Sequence, residues 1–128
     1  MDTLITNDIK ISVENFFQPG YSQPASSQFV FAYRVSIENL SSETVQLLRR
    51  HWFIKDANGT LREVEGEGVI GKQPIIAPGG MHQYVSWCNL STSIGKMYGT
   101  YQMLRRKDNY LFDVTIPAFK MIVPHKLN

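Results

Sequence analysis

Gly66, Gly68 and Gly71 stand in the stretch EVEGEGVIGKQP at the G-x-G-x-x-G spacing that elsewhere wraps a dinucleotide pyrophosphate. That chemistry requires a parallel strand before the motif and a helix after it whose first amides face the phosphate. It also requires an acidic residue ~20 positions on for the ribose. None of the three is legible here. Lys72, Gln73 and Pro74 lead into Ile75 and Ile76, which favour extended chain, and Pro74 opposes an immediate helix. Glu65 and Glu67 set negative charge beside the supposed anion site. The glycines therefore read as a bulged or sharply bent strand that needs positive φ or close backbone approach, and such a bend can present itself to a protein partner. A nucleotide pyrophosphate-binding or hydrolysing protein built on this segment is the alternative.

The remaining reactive residue types point to little chemistry. His51, His82 and His125 show no H-x-x-x-H or H-E-x-x-H spacing, so no metal site is expected and each histidine reads as structural, although His51 and His82 could approach across two sheets. Cys88 is the only cysteine, which excludes an internal disulfide, and no G-x-S-x-G or other nucleophile setting occurs. Within the alternating run YVSWCNL, Cys88 is expected to be buried and inert. Glu63, Glu65 and Glu67 at period two line one strand face, the usual pattern of a solvated row. No catalytic residue and no cofactor is assigned.

The run RRHW carries more. Arg49 and His51 share one strand face while Arg50 and Trp52 share the other, so one side presents a basic pair and the other buries the indole along an arginine stem. Trp52 is expected to anchor the core. Arginine and tryptophan are also the types enriched where proteins dock. The expected partner-binding set is thus Glu65, Gly66, Glu67, Gly68, Gly71, Gln73, Arg49 and His51. Most of the six tyrosines are expected in the core with wet hydroxyls.

These residues must be held by strands. Period-two alternation runs through almost the whole chain and a helical period appears nowhere. The segment 28–39 puts Phe29, Phe31, Tyr33, Val35 and Ile37 on one face and Arg34, Ser36 and Glu38 on the other. Before it, Ile9, Ile11 and Val13 alternate with Asp8, Lys10 and Ser12, and QPGYSQPASS forms a long loop. In 45–56 the phase slips between Leu47 and Leu48, which predicts a β-bulge. Asn58-Gly59 predicts a type I′ hairpin to a strand starting near Leu61. Pro78-Gly79-Gly80 and Lys107-Asp108-Asn109 supply further turns, with Arg105 to Lys107 a solvated hairpin end. The expectation is an all-β, two-sheet antiparallel β-sandwich of immunoglobulin or fibronectin type III kind, about seven or eight strands, in one domain over 1–128.

Composition agrees. Apolar residues make up 43% and charged residues 19%, and a net charge of +2 is too small for a nucleic-acid footprint. No run approaches the ~18 apolar residues that cross a bilayer, so no membrane insertion is expected. The first residues lack a basic start, an apolar run and a cleavage site, which points to the cytoplasm.

LLRRHWFIKDANG, EVEGEGVIGKQP, APGG, YVSWCNL, GKMYGTYQM and IPAF stand in an order and spacing that resembles the bacterial ApaG proteins over nearly the whole chain. The resemblance implies a fibronectin-type sandwich that occurs alone in bacteria and as a domain of eukaryotic F-box proteins and of a polymerase-interacting protein, settings that suggest protein interaction. It also implies an association with cobalt resistance and magnesium efflux. Trp87 departs from the small residue usual after Y-x-S, and CNLST replaces a proline-containing version. An unidentified protein partner and a monomer or homodimer are expected.

Overall fold

The computed structural model describes residues 1–124, so His125 lies outside the described residues. Nine strands run in order as β1 (Asp2–Thr6), β2 (Ile9–Phe17), β3 (Phe29–Asn39), β4 (Val45–Asp56), β5 (Leu61–Glu67), β6 (Ile75–Ile76), β7 (Met81–Leu90), β8 (Ile94–Arg105) and β9 (Tyr110–Ile122). They form two antiparallel sheets, one ordered β1-β2-β3-β7 and the other β5-β4-β8-β9, with β6 continuing the β5 edge beside Val45 and Gln46. The expected all-β sandwich is present. Two strands more than the lower expectation appear because β1 and the two-residue β6 carry too little alternation to be seen. The loop after β2 holds two single-turn 3-10 segments, Pro19–Tyr21 and Pro24–Ser26, each opened by a proline.

The alternation of the sequence is the alternation of burial. Ile9, Ile11 and Val13 face inward from β2, and Phe31, Tyr33, Val35 and Ile37 from β3. They meet Trp52 and Ile54 from β4 and Met97, Tyr101 and Met103 from β8. Trp52 is 2% exposed and packs edge-on to Tyr33, Tyr101 and Phe119, the core anchor its spacing predicted. Burying side chains of this size stabilises by roughly 1.5–3 kcal/mol each, so the two inward faces dominate stability.

Of the six tyrosines, Tyr33, Tyr84 and Tyr101 are buried, whereas Tyr21 and Tyr110 are more than half exposed. The buried hydroxyls of Tyr84 and Tyr101 hydrogen-bond each other across the sheets rather than staying wet. A buried hydroxyl must find a partner, and here the partner is its neighbour.

The pairing of β4 with β8 shifts register between Leu47 and Arg49, so Leu48 is the predicted bulge. The hairpin after β4 differs from its expectation. Only Gly59 has positive φ, at 91°, and its N–H donates to Asp56 O at 3.0 Å. This is a type I turn closed by a left-handed glycine, the three-residue solution, instead of the two-residue type I′ turn.

The lateral sides of the sandwich differ. On one, Asn7 Nδ2 donates to Asp113 O and Asn15 Nδ2 to Lys120 O, fastening the sheets together. On the other, β5 and β7 are free edges among the described residues, and the Arg62 guanidinium donates to Asn89 O near one end of the gap.

Candidate functional site

The glycine segment lies on that second side, and the bulge at Leu48 is what shapes it. The bulged Leu48 carbonyl accepts from Gly68 N–H at 2.8 Å and from Gln73 Nε2 at 3.0 Å, while Leu47 N–H donates to Pro74 O. Held at these points, the chain reverses through Val69, Ile70, Gly71 and Lys72. Val69 and Lys72 exchange both backbone hydrogen bonds, and φ is 47° at Ile70 and 72° at Gly71. Two positive φ values across a two-residue loop are the type I′ geometry that had been expected at Asn58-Gly59. Val69, 1% exposed, pins the bend to the core.

The glycines serve this geometry. Gly68 has φ of 64°, and a Cβ there would fall 2.2 Å from Lys72 O. A Cβ on Gly66 would meet the Arg50 guanidinium at 3.2 Å, so the bare Gly66 backbone makes the floor on which that group lies. A turn and a short strand follow the motif, with no helix to offer amides to a phosphate.

The expected partner-binding set is divided by the fold. Glu65, Glu67, Gly71, Gln73 and Arg49 are exposed, Gly66 and His51 are half-buried, and Gly68 is buried. Gln73 has its amide committed to the Leu48 carbonyl. Arg49 and His51 lie on the outer face of β4, opposite Glu67 and Glu65 of β5 in register.

On that outer face His51 Nε2 stands 2.5 Å from Glu63 Oε2, and Nδ1 stands 3.4 Å from Glu65 Oε2. Their potential ligand atoms lie within 4.8 Å of one another, a cluster that spacing along one strand could not reveal because the acids come from the neighbouring strand. The two carboxylates engage opposite nitrogens of one ring. A cation could take only one of those nitrogens, so one of the two acid contacts to the ring would have to be given up to a metal. His82 occupies an inward position of β7 in the other sheet, with its pKa lowered by burial and by the Lys72 ammonium. The two histidines do not share a cluster.

Cys88 is 5% exposed, and burial pushes its thiol up to about 11 although Arg62 opposes the shift. A thiol so held is not a nucleophile at neutral pH.

Sequence reasoning missed a cleft between the sheets. Beneath the bend, Arg50 reaches inward toward Tyr33 and Tyr84, with Trp52 and Ser86 completing the wall, in a hollow of about 160 Å³ roofed by Ile70 and Gly71. Arg50 Nη1 donates to Glu67 O at 3.1 Å and Gly68 O at 3.0 Å. The detectable signal was the parity that puts Arg50 on the same face as Trp52, an inward place for a charge. Tyr33 and Tyr84 have raised pKa values, chiefly through burial, and the Arg50 charge pulls both the other way.

By class the chain is an antiparallel β-sandwich with open sheet edges, whose bulge folds a glycine bend over an inward arginine. An ApaG domain model matches residues 19–105, and the chain belongs to that family. It is 48% identical to Protein ApaG of Brucella abortus strain S19 over 126 residues, covering 98% of this chain and 96% of that protein. It is also 48% identical to Protein ApaG of Paramagnetospirillum magneticum over 121 residues, covering 94% and 92% of the two chains. In fold it superposes on a Bordetella pertussis crystal structure described as ApaA with a TM-score of 0.89, at 40% identity over 93% of this chain and 96% of that one. Among the described residues no helix is long and apolar enough to cross a membrane.

Proposed function

We propose that this protein is a non-enzymatic, cytoplasmic interaction module that docks a protein partner along the β5 edge and the glycine bend. The observation that carries this reading is the edge itself. Six of the seven β5 residues are exposed, one side of the strand has no pairing partner among the described residues, and Glu63, Glu65 and Glu67 form an acidic row beside His51 and Arg49. Main-chain groups on an open edge give affinity to an added segment, and the side-chain row gives specificity. Glu65, Glu67, Gly71, Arg49 and His51 make the contacts, while Gly66, Gly68 and Gln73 hold the bend in shape. No metal or cofactor takes part, and the cobalt and magnesium association of the family enters through the partner.

The nucleotide alternative lacks support at the motif, where the Lys72 carbonyl fills the space above Gly68. The test is affinity capture from the source cytoplasm with mass spectrometry, comparing the native chain with Glu65→Lys/Glu67→Lys. The expected result is a partner lost by the double variant while its thermal unfolding is unchanged. An unchanged partner list moves the docking surface elsewhere. A rise in melting temperature with saturating ATP that Gly68→Ala abolishes would favour the nucleotide reading, since ligand at ~100 times Kd adds about 2.7 kcal/mol.

A further inference from the structure

From the Arg50 cleft we infer a receptor site for one carboxylate, that of an Asp or Glu side chain on the docked partner. The inference rests on the interaction reading above. Arg50 comes from the inward face of β4, opposite Tyr101 on one side and Gly66 on the other, yet among the described residues no carboxylate lies within ion-pair distance of it. Half-buried and without a counter-charge, the guanidinium is open to a charge-assisted pair with an incoming anion.

The guanidinium is also half used. Nη1 is occupied by the two bend carbonyls, whereas Nε and Nη2 make no hydrogen bond among the described residues and are not sealed from solvent. The bond to the bend fixes the plane of the fork, so the free edge is already oriented for two parallel hydrogen bonds to a carboxylate. The Tyr33 and Tyr84 rings and the Ser86 hydroxyl line the approach, giving a short apolar stem a place to lie.

The class of anion follows from charge. Among the described residues Arg50 is the only ionic residue lining the hollow, Glu65 and Glu67 lying on the outer face of β5 beside His51 and Arg49. One cation without a second suits a single negative charge better than a phosphate dianion or a pyrophosphate. About 160 Å³ admits a carboxylate on a short stem and no nucleotide.

The test is an NMR titration of the ¹⁵N-labelled protein with the blocked peptide acetyl-Ala-Glu-Ala-amide. Acetyl-Ala-Gln-Ala-amide serves as the neutral control, with succinate and inorganic phosphate as free anions. The expected result is saturable movement of the Arg50 Nε–H signal and of the amides of 66–71 and Ser86 with the glutamate peptide alone. Arg50→Gln should weaken it by about tenfold or more, equivalent to ~1.4 kcal/mol. Should Arg50→Gln unfold, Ser86→Ala keeps the arginine and, by removing the hydroxyl at the approach, should weaken binding measurably.

Equal movement with the glutamine peptide, shifts confined to surface lysines, or no saturation overturns the inference. Tighter binding of succinate or phosphate than of the peptide also overturns it, in favour of a free metabolite. Saturable peptide binding in a protein that captures no partner through Glu65 and Glu67 keeps the cleft and removes the edge-docking reading. Capture without peptide binding does the reverse.

Discussion

Cys88 stands at an inward position of the run YVSWCNL, and burial holds its thiol up at about 11 although Arg62 opposes the shift. We expect Cys88 to react with a maleimide far more slowly than a free thiol at neutral pH, becoming fast only in denaturant, because the thiolate is the reacting form. Rapid native-state labelling would contradict the burial. His51 illustrates the converse. Its own strand offers no ligand partner, and Glu63 and Glu65 reach it only because β5 pairs in the register that sets His51 opposite Glu65. Arg50 is a third case, since its parity was legible but its lack of a carboxylate partner was not.

At the scale of the element, the bend from Glu67 to Gln73 is a tight hairpin built on a strand bulge, and its local conformations differ in their cost. Gly68→Ala should destabilise by at least ~1 kcal/mol, and by more if the backbone cannot shift, because φ is positive and Lys72 O occupies the methyl position. In thermal unfolding that corresponds to a fall of about 4 °C or more for a chain of this length. Ile70 behaves oppositely. A β-branched residue at φ of 47° is strained, and its side chain is 59% exposed, so little packing compensates. Ile70→Asn, which tolerates the left-handed region, should raise stability by roughly 0.5–1 kcal/mol. A melting temperature that falls with Ile70→Asn would mean that the isoleucine contributes contacts outweighing its strain.

For the molecule as a whole, the two sheets enclose several acidic protons. Cys88, Tyr33, Tyr84 and Tyr101 all have pKa values raised above their ordinary ones, first of all by burial. Unfolding exposes them, so above about pH 8.5 the unfolded chain releases its thiol proton, and above about pH 10 its phenol protons, while the folded chain retains them. The unfolded state then binds fewer protons than the folded one, and stability falls as pH rises. The melting temperature should decline between about pH 8.5 and 11, with Cys88→Ala flattening the first part of the decline. A melting temperature that stays level or climbs over this range would show that these groups are not buried together.

By itself the sequence determined the all-β class, the inward residues of the long strands, the bulge at Leu48 and the core position of Trp52. Each of these is local: alternation at period two is written along one strand, and a slipped phase is visible within a few residues. It also sufficed to oppose a phosphate loop at Gly66, Gly68 and Gly71, since no helix could follow them. Only the tertiary structure decided which turn takes which geometry, because the type I′ turn forms where the Leu48 carbonyl anchors the chain at Ile70-Gly71, while Asn58-Gly59 closes a longer loop. It alone set His51 between Glu63 and Glu65, joined Tyr84 to Tyr101, and opened the cleft over Arg50. The physical reason is common to all of these. Pairing register and the spacing between two sheets bring together residues far apart in the chain, and no periodicity within a single strand encodes them.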